Sequence, residues 1–237
     1  MKYLAFWLCI ALPLAAQAQP LRLLTEEYPP FSYVSEGKLQ GISVDQVKVI
    51  MDAAGFEHEF EILPWARAFS LAESTASTCV FTTGMLPERM DRFKWVQPLV
   101  LDLMIMVRKT GTLHRARTLD EAKRFIIGVH KDDSAEAYAR QQGFPRLDSA
   151  PSLDLSLRKL LSGRVELIIM TRTTYESLRQ KGEQIEAVLD LEGTRAGIAC
   201  NLGVPDRTIT RMQAELDKLI ADGTQAAIYK RYEKHAE

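Results

Sequence analysis

The sequence predicts an α/β protein of two lobes, each a mostly parallel sheet with helices on both faces, joined by strands. Short apolar strands alternate with amphipathic helices along the chain, and this alternation is typical of parallel sheets covered by helices. The sequence contains no internal repeat, low-complexity tract or glycine-rich linker. We therefore expect shared strands, and not a flexible tether, to connect the lobes.

The N-terminus predicts a secretory signal peptide. Lys2 supplies a positive charge, residues 4–15 form an apolar run, and Ala16-Gln17-Ala18 offers the small residues that signal peptidase prefers. The run is shorter than the roughly 20 residues that cross a bilayer. We predict cleavage after Ala18. A lipid anchor on Cys9 is the less favoured alternative, because the residues before it lack the small side chain that lipoprotein processing prefers.

Local patterns in the first part of the exported chain predict strands that alternate with helices. Ser43 with Gln46 matches a capping box, and Gly55 suits the end of the helix that follows. Apolar and acidic residues alternate from Phe56 to Ile62, which is typical of a half-exposed strand. In order, we predict strand 21–24, a proline-rich loop 25–30, helix 41–55, strand 56–62, helix 65–73 and strand 79–82.

The rest of the chain continues this alternation. Thr118 with Glu121 forms a second capping box, Pro205 marks the start of a long helix and Gly223 marks its end. The predicted elements are strand 125–129, helix 134–143, helix 152–162, strand 165–170, helix 173–181, strand 185–189, strand 196–200 and the helix from Pro205 to Gly223.

Charge and cysteine content exclude several classes of protein. Of the 30 Lys and Arg residues one, Lys2, lies in the signal peptide, which leaves 29 against 31 Asp and Glu, so no basic surface indicates nucleic acid. The histidines and cysteines lack the spacing of a metal site, and we predict neither a metal nor another cofactor. Cys79 and Cys200 remain after export, and the sequence leaves open whether they form a disulfide.

Several segments, in their order and spacing, resemble the family 3 extracellular solute-binding proteins, the receptors of polar amino-acid ABC importers. One of them, Pro64-Trp65-Ala66-Arg67-Ala68, resembles a subgroup that carries a PWxRA segment. The other segments are Tyr28-Pro29-Pro30-Phe31-Ser32, Gly41-Ile42-Ser43-Val44-Asp45, Thr82 to Arg89 with the following Phe93-Lys94-Trp95-Val96, and Asp222-Gly223-Thr224.

The resemblance implies the type II periplasmic-binding-protein fold. The first lobe would comprise residues 19–102 and 195–237, and the second lobe residues 103–194. The ligand would bind in the cleft between them. Independently, ligands of open α/β sheets are expected beyond the carboxyl ends of the strands.

The resemblance further implies that Arg89 holds a carboxylate of the ligand, because a guanidinium offers a planar fork of donors. By residue type alone, an ordinary surface arginine is the alternative. Tyr28 and Trp65 would form flat walls against the ligand, with core packing as the alternative for both. Thr82 would bring a hydroxyl or a backbone group to the ligand, or would serve only as a β-former.

Four further positions belong to the predicted site. Arg67 would add a second positive donor, or would lie on a solvated helix face. Ser134 stands at a helix N-terminus that suits an anion, although N-capping would also explain it. Thr171 stands where amino-acid receptors of the family typically carry an aspartate that pairs with the ligand's α-ammonium group. Asp133 could substitute for that charge, or the ligand could lack an α-amino group.

The resemblance implies a monomeric, non-enzymatic periplasmic receptor. It would capture a small polar, carboxylate-bearing solute, such as an amino acid, by hinge closure and deliver it to the membrane permease of an ABC importer. One alternative is a sensor that reports the ligand to a membrane signalling partner. The other is an enzyme similar to prephenate or arogenate dehydratases, for which His130 and Asp133 are the candidate acid–base residues.

Overall fold

The computed structural model describes residues 19–234, and the predicted signal peptide lies outside these residues. The strands are β1 (Leu21–Thr25), β2 (Tyr33–Ser35), β3 (Lys38–Gln40), β4 (His58–Ile62), β5 (Thr78–Gly84), β6 (Lys94–Lys109), β7 (Ile127–His130), β8 (Leu147–Ala150), β9 (Leu167–Thr171) and β10 (Ile185–Cys200). The helices are α1 (Ile42–Ala54), α2 (Trp65–Ser74), α3 (Leu119–Ala122), α4 (Ser134–Gln141), α5 (Leu153–Leu161), α6 (Arg172–Gln180), α7 (Asp206–Ala221) and α8 (Thr224–Lys234), with a 3-10 helix at Pro87–Arg92. Within residues 19–234, no helix is long and apolar enough to cross a membrane.

Eight strands form one mixed sheet in the order β4-β1-β5-β10-β6-β9-β7-β8, and β2 and β3 form a separate hairpin. The pairs at both ends are parallel, β1 with β4 and β5, and β7 with β8 and β9. Only the pairs that involve β6 or β10 at the centre are antiparallel among these eight strands. The predicted α/β architecture of parallel sheets with helical cover is confirmed.

The two central strands, β6 and β10, each span 16 residues and run side by side from the first lobe into the second. The prediction of two separate strands at 185–189 and 196–200 was wrong, because β10 continues through both. Its middle, from Glu192 to Arg195, is largely exposed, so the apolar pattern there is lost although the backbone stays paired. The expected connection of the lobes by strands corresponds to this pair.

The predicted capping box at Ser43 and Gln46 does not form. Gly41 precedes the first helical residue, and its left-handed φ of 135° places it against the Phe31 carbonyl, where a Cβ atom would overlap the backbone. The carbonyls of Pro30 and Phe31 accept the first N–H groups of α1 instead. The proline-rich loop is thereby fixed to the start of the helix.

Other helix ends follow the sequence. Gly55 ends α1 with a φ of 75° and donates its N–H to the Met51 carbonyl, as predicted. At α3, the Thr118 hydroxyl accepts the N–H of Glu121, whose carboxylate in turn accepts the N–H of Arg117. The predicted box there is confirmed, with the return bond shifted by one residue.

Buried apolar residues form four clusters that divide along the chain. Two clusters draw on residues 21–100 and 196–228, and two draw on residues 104–185. In the first set, Cys79 and Cys200 face each other on β5 and β10 and form a disulfide, which answers the question that the sequence left open. The clusters separate in the same manner as the predicted lobes, whose boundaries remain predictions.

Candidate functional site

A cavity of about 60 Å³ lies between the two lobes at the centre of the sheet. This volume accommodates several water-sized groups, as a small organic solute requires. Its lining combines two carboxylates, several hydroxyls and apolar side chains from both lobes. The lining residues are Glu26, Tyr28, Phe31, Phe81, Thr82, Gly84, Val100, Met104, Asp133, Ser134, Ala135, Met170, Thr171, Thr194 and Ala196.

Thr82 enters the cavity from a β-bulge. Thr83 pairs with Gly197 and Phe81 pairs with Ile198, so Thr82 between them has no partner on β10. Its φ is 61°, in the left-handed region that a β-branched residue rarely adopts. The hydroxyl is buried and has no hydrogen-bond partner among the described residues. A strained backbone with an unused buried hydroxyl indicates a position shaped for a ligand.

Gly84, at the end of β5, lies directly against the N-terminal turn of α4. A Cβ atom at this position would overlap the hydroxyl of Ser134, the first residue of α4. The N-cap of α4 is Asp133, whose carboxylate accepts the Ser134 N–H at 2.6 Å, so N-capping does not explain Ser134. Glycine at position 84 therefore lets the N-terminal turn of α4 reach the cavity.

Arg89 lies at the edge of the cavity, next to Gly84, and is 6% exposed. Its two terminal nitrogens donate to the Gly84 carbonyl at 3.2 Å and, across the cleft, to the Asp132 carbonyl at 2.6 Å. Its guanidinium carbon lies 5.6 Å and 5.0 Å from the ring centres of Trp65 and Phe69. Burial lowers the pKa of this guanidinium, while Asp133 opposes the shift.

Asp132 of the second lobe receives two donors from the first lobe, since the Trp65 indole also donates to its carbonyl, at 2.9 Å. Asp132 has a φ of 57°, and its N–H donates to the carboxylate of Glu136 at 2.7 Å. Ser149 and Arg140 also donate to Glu136. Burial would raise the pKa of Glu136, but these three hydrogen bonds together hold it below its usual range. Glu136 thus fixes the backbone turn that receives Arg89 and Trp65.

Two carboxylates, those of Glu26 and Asp133, line the cavity on either side of His130. The ring nitrogens of His130 lie 3.4 Å from Glu26 and 3.9 Å from Asp133, and neither makes a hydrogen bond within the described chain. Tyr28 stacks on the imidazole with 6.1 Å between ring centres. Burial, with the nearby Asp133 charge, raises the pKa of Glu26 well above its usual range.

The structure brings five of the predicted site residues to the cavity, namely Tyr28, Thr82, Asp133, Ser134 and Thr171. Arg89 and Trp65 meet at its edge, and together they line an adjoining groove. Arg67 is exposed on α2 and lines neither the cavity nor the adjoining groove. The roles assigned to these residues remain predictions.

The Thr171 side chain is engaged within its own lobe. Its hydroxyl accepts the N–H of Thr174 as the N-cap of α6 and donates to the Thr174 hydroxyl at 3.0 Å. It supplies no charge to the cavity.

The sequence did not reveal that Glu26 lines the cavity. Nor did it reveal that Glu136 fixes the turn at Asp132. Glu26 stands beside Glu27 in a polar loop, and nothing in the sequence distinguishes the buried carboxylate from the exposed one. Asp132 accepts these hydrogen bonds through its backbone carbonyl, and the type of a residue does not reveal what its backbone binds.

A family comparison identifies the chain. The model of the bacterial extracellular solute-binding proteins, family 3, matches residues 21–235. The chain belongs to this family. The narrower assignment of this solute-binding protein to the PWxRA subgroup remains a prediction. A search of curated proteins found no significant match.

Solved structures similar to this solute-binding protein share its fold at low sequence identity. A histidine kinase sensor domain with similarity to periplasmic binding proteins has a TM-score of 0.82 and 19% identity, with 90% of this chain and 96% of that chain covered. An ancestral arginine-binding protein bound to arginine has a TM-score of 0.80 and 23% identity, with 90% and 97% covered. The arginine-, lysine-, histidine-binding protein ArtJ from Geobacillus stearothermophilus has a TM-score of 0.80 and 19% identity, with 90% and 95% covered.

Proposed function

We propose that this solute-binding protein is a periplasmic receptor that captures an amino acid or a related small polar compound by closing its two lobes. It would act without catalysis and as a monomer, and it would present the loaded, closed form to the permease of an ABC importer. The cavity between the lobes is the observation that carries this proposal. Ligand contacts to both lobes would stabilise the closed form through their differential affinity for it.

The contacts around the cavity support closure as the working motion. Arg89 and Trp65 of the first lobe reach the Asp132 carbonyl of the second. On the opposite side, the Thr174 hydroxyl of the second lobe donates to the Pro29 carbonyl of the first at 3.5 Å. These contacts are few and polar, so a ligand can tip the balance between open and closed forms.

We propose that Arg89 binds a ligand carboxylate, and the geometry sets a condition for this role. Both terminal nitrogens of Arg89 already donate to backbone carbonyls. A carboxylate would have to replace the Asp132 carbonyl, which is favourable because a charged acceptor binds a guanidinium more strongly than a neutral one. The N-terminus of α4 at Ser134 offers a second favourable end for the same negative group.

Isothermal titration calorimetry of the mature chain tests the proposal against amino acids, dicarboxylates and polyamines. We expect one chemical class to bind, and Arg89→Ala to weaken binding by about 100-fold. Arg92→Ala is the matched control, because Arg92 lies on the same 3-10 helix and pairs with Glu73. Binding of none of these compounds would contradict the receptor function.

The carboxylate role needs a sharper comparison, because Arg89→Ala also removes the contact to Asp132. We would compare each bound amino acid with its amide in the parent protein and in Arg89→Ala. If Arg89 holds the carboxylate, the parent protein prefers the acid and the variant loses that preference. An unchanged preference would assign Arg89 to closure alone.

A sensor and a dehydratase are alternatives that are less favoured than the receptor. The solved structures include a kinase sensor domain and an ancestral amino-acid-binding protein described as a precursor of cyclohexadienyl dehydratase, both at low identity. Incubation with prephenate would test the enzyme directly, since a receptor leaves prephenate unchanged.

Export would be tested by N-terminal sequencing of the secreted protein, which should begin at Gln19.

A further inference from the structure

We infer that the ligand carries a positively charged ammonium or guanidinium group and that Glu26 and Asp133 together bind it. This inference rests on the proposed function and specifies the chemistry of its site. It assigns cation binding to one residue of each lobe, so that the charged group of the ligand would itself link the lobes.

The charged residues of the cavity are both acidic. Glu26 and Asp133 both line it, and no Lys or Arg is among the described residues of that lining. The nearest guanidinium, on Arg89, directs its terminal N–H groups at Gly84 and Asp132. A small enclosed space with two acids and no base favours a cationic occupant.

His130 is the one basic side chain between the two acids in the described chain. It is 2% exposed, and both of its ring nitrogens lack hydrogen-bond partners. The distances of 3.4 Å to Glu26 and 3.9 Å to Asp133 leave the carboxylates without a close donor from this ring. A buried group without a partner beside two carboxylates indicates that a further polar group completes the site.

Asp133 and Glu26 both keep hydrogen-bonding capacity for a ligand. One oxygen of Asp133 accepts the Ser134 N–H, which leaves its second oxygen for the cavity. Glu26 follows β1 directly, and burial raises its pKa because the charged form lacks compensation. The Tyr28 ring, also in the lining, offers an aromatic face on which a cation is favourable.

The test uses pairs of compounds that differ in the amine alone. Calorimetry would compare L-alanine with L-lactate, 4-aminobutyrate with 4-hydroxybutyrate, and putrescine with 1,4-butanediol, beside the common amino acids. We expect binding to be confined to amine-bearing compounds, with each hydroxy partner weaker by about 100-fold. A hydroxy compound that binds as tightly as its amine would overturn the inference and leave the receptor function intact. Binding of no compound would overturn both.

Two isosteric variants locate the cation. Glu26→Gln and Asp133→Asn should each weaken binding of the amine by roughly 10- to 100-fold. Asparagine caps helices as well as aspartate does, so α4 should keep its start. Glu27→Gln is the matched control, because Glu27 is exposed next to Glu26 and should keep the parent affinity. Unchanged affinity in Glu26→Gln and Asp133→Asn would overturn the assignment.

Two readouts distinguish binding from a structural role. Glu26→Gln removes a buried carboxyl group whose charged form is disfavoured by burial, so the unliganded variant should unfold at the same or a higher temperature at pH 7 while its affinity falls. A parallel loss of stability and affinity would contradict the assignment.

In addition, a bound cation would lower the raised pKa of Glu26, which faces His130, Asp133 and Tyr28. Binding should then release a proton, measurable as a dependence of the calorimetric heat on buffer ionisation enthalpy, and affinity should fall as the pH falls.

Discussion

The guanidinium of Arg89 donates a hydrogen bond of 2.6 Å to the backbone carbonyl of Asp132, across the cleft between the lobes. The acceptor is a main-chain atom, so the contact does not depend on the side chain of Asp132. The Trp65 indole donates to the same carbonyl. Two donors on one acceptor make this turn the principal polar connection at the Arg89 side of the cavity. Because the contact crosses the cleft, it would stabilise the closed form in the closure that we propose.

Trp65→Phe should weaken ligand binding by about 5-fold, because one hydrogen bond of the closed form contributes about 1 kcal/mol. The aromatic packing against Phe69 is retained. Trp95→Phe serves as the control, since the Trp95 indole donates to the Met90 carbonyl within the first lobe. Calorimetry on both variants checks the prediction, and equal effects would show that the indole bond to Asp132 has no special part in closure.

Gly84→Ala should weaken binding by about 10-fold or more, because the new methyl group would overlap the Ser134 hydroxyl and so disfavour the proposed closed form. Adding Ser134→Gly should recover part of the loss. Gly193→Ala is a fitting control, since its nearest neighbour, the Asp102 carbonyl, would lie 3.8 Å from the added Cβ atom. Small-angle scattering should show Gly84→Ala to be more open, and a compact, tightly binding variant would contradict this account.

Thr82→Gly should separate stability from binding. Glycine adopts the φ of 61° without the cost of about 1–2 kcal/mol that other residues incur. This gain in stability is partly offset, because glycine gives the unfolded chain greater conformational freedom. We expect the free energy of unfolding to stay level or rise, while ligand affinity falls with the loss of the buried hydroxyl. Denaturant unfolding and calorimetry on the same sample test this, and a drop in stability would show that the bulge carries no strain.

Replacement of Cys79 and Cys200 by alanine should lower the free energy of unfolding by about 2–5 kcal/mol, because the disulfide closes a long loop between β5 and β10. The cysteines belong to the core of the first lobe, and neither of them lines the cavity. Ligand affinity at low temperature should therefore be kept. The parent protein treated with reductant should approach the same stability, and thiol titration without reductant should detect neither cysteine.

Acid should destabilise the protein partly through Glu136. Its pKa is depressed in the folded state, so its contribution is present above the unfolded value of about 4.3 and is lost as the pH falls through the folded value. Glu136→Gln should lower the free energy of unfolding by about 2 kcal/mol at pH 7 and flatten the decline below pH 5. Unfolding curves between pH 3 and 7 measure this slope, and parallel curves for parent and variant would refute it.

The elements that could be predicted from sequence are those whose local chemistry agrees with their environment. Helix α7 begins after Pro205 and ends before Gly223 as expected, because both residues act on the backbone directly. Strand β8 was missed, because Leu147–Ala150 lies at the sheet edge and carries polar residues. The hairpin of β2 and β3 was also missed, because its residues are mostly half-buried or exposed.

Within the site, the candidate residues came from the family resemblance, and the roles assigned to them remain predictions. Tyr28 and Ser134 both line the cavity, and each follows a recognisable break at the end of an element. The left-handed backbone of Thr82 could not be foreseen, since threonine in an apolar run indicates regular strand. Arg89 was expected to face a ligand, and its present acceptors are backbone carbonyls, which the sequence does not mark.

The pairing of Leu101 with Arg195 and of Asp102 with Thr194 places the predicted entry and exit of the second lobe directly beside each other. If residues 103–194 form the second lobe as predicted, a related sequence could replace them without moving the two strand positions that they join. A chimaera that takes this stretch from a relative should therefore fold and exchange half of the binding surface at once. New specificities could arise in this family by recombination as readily as by point substitution.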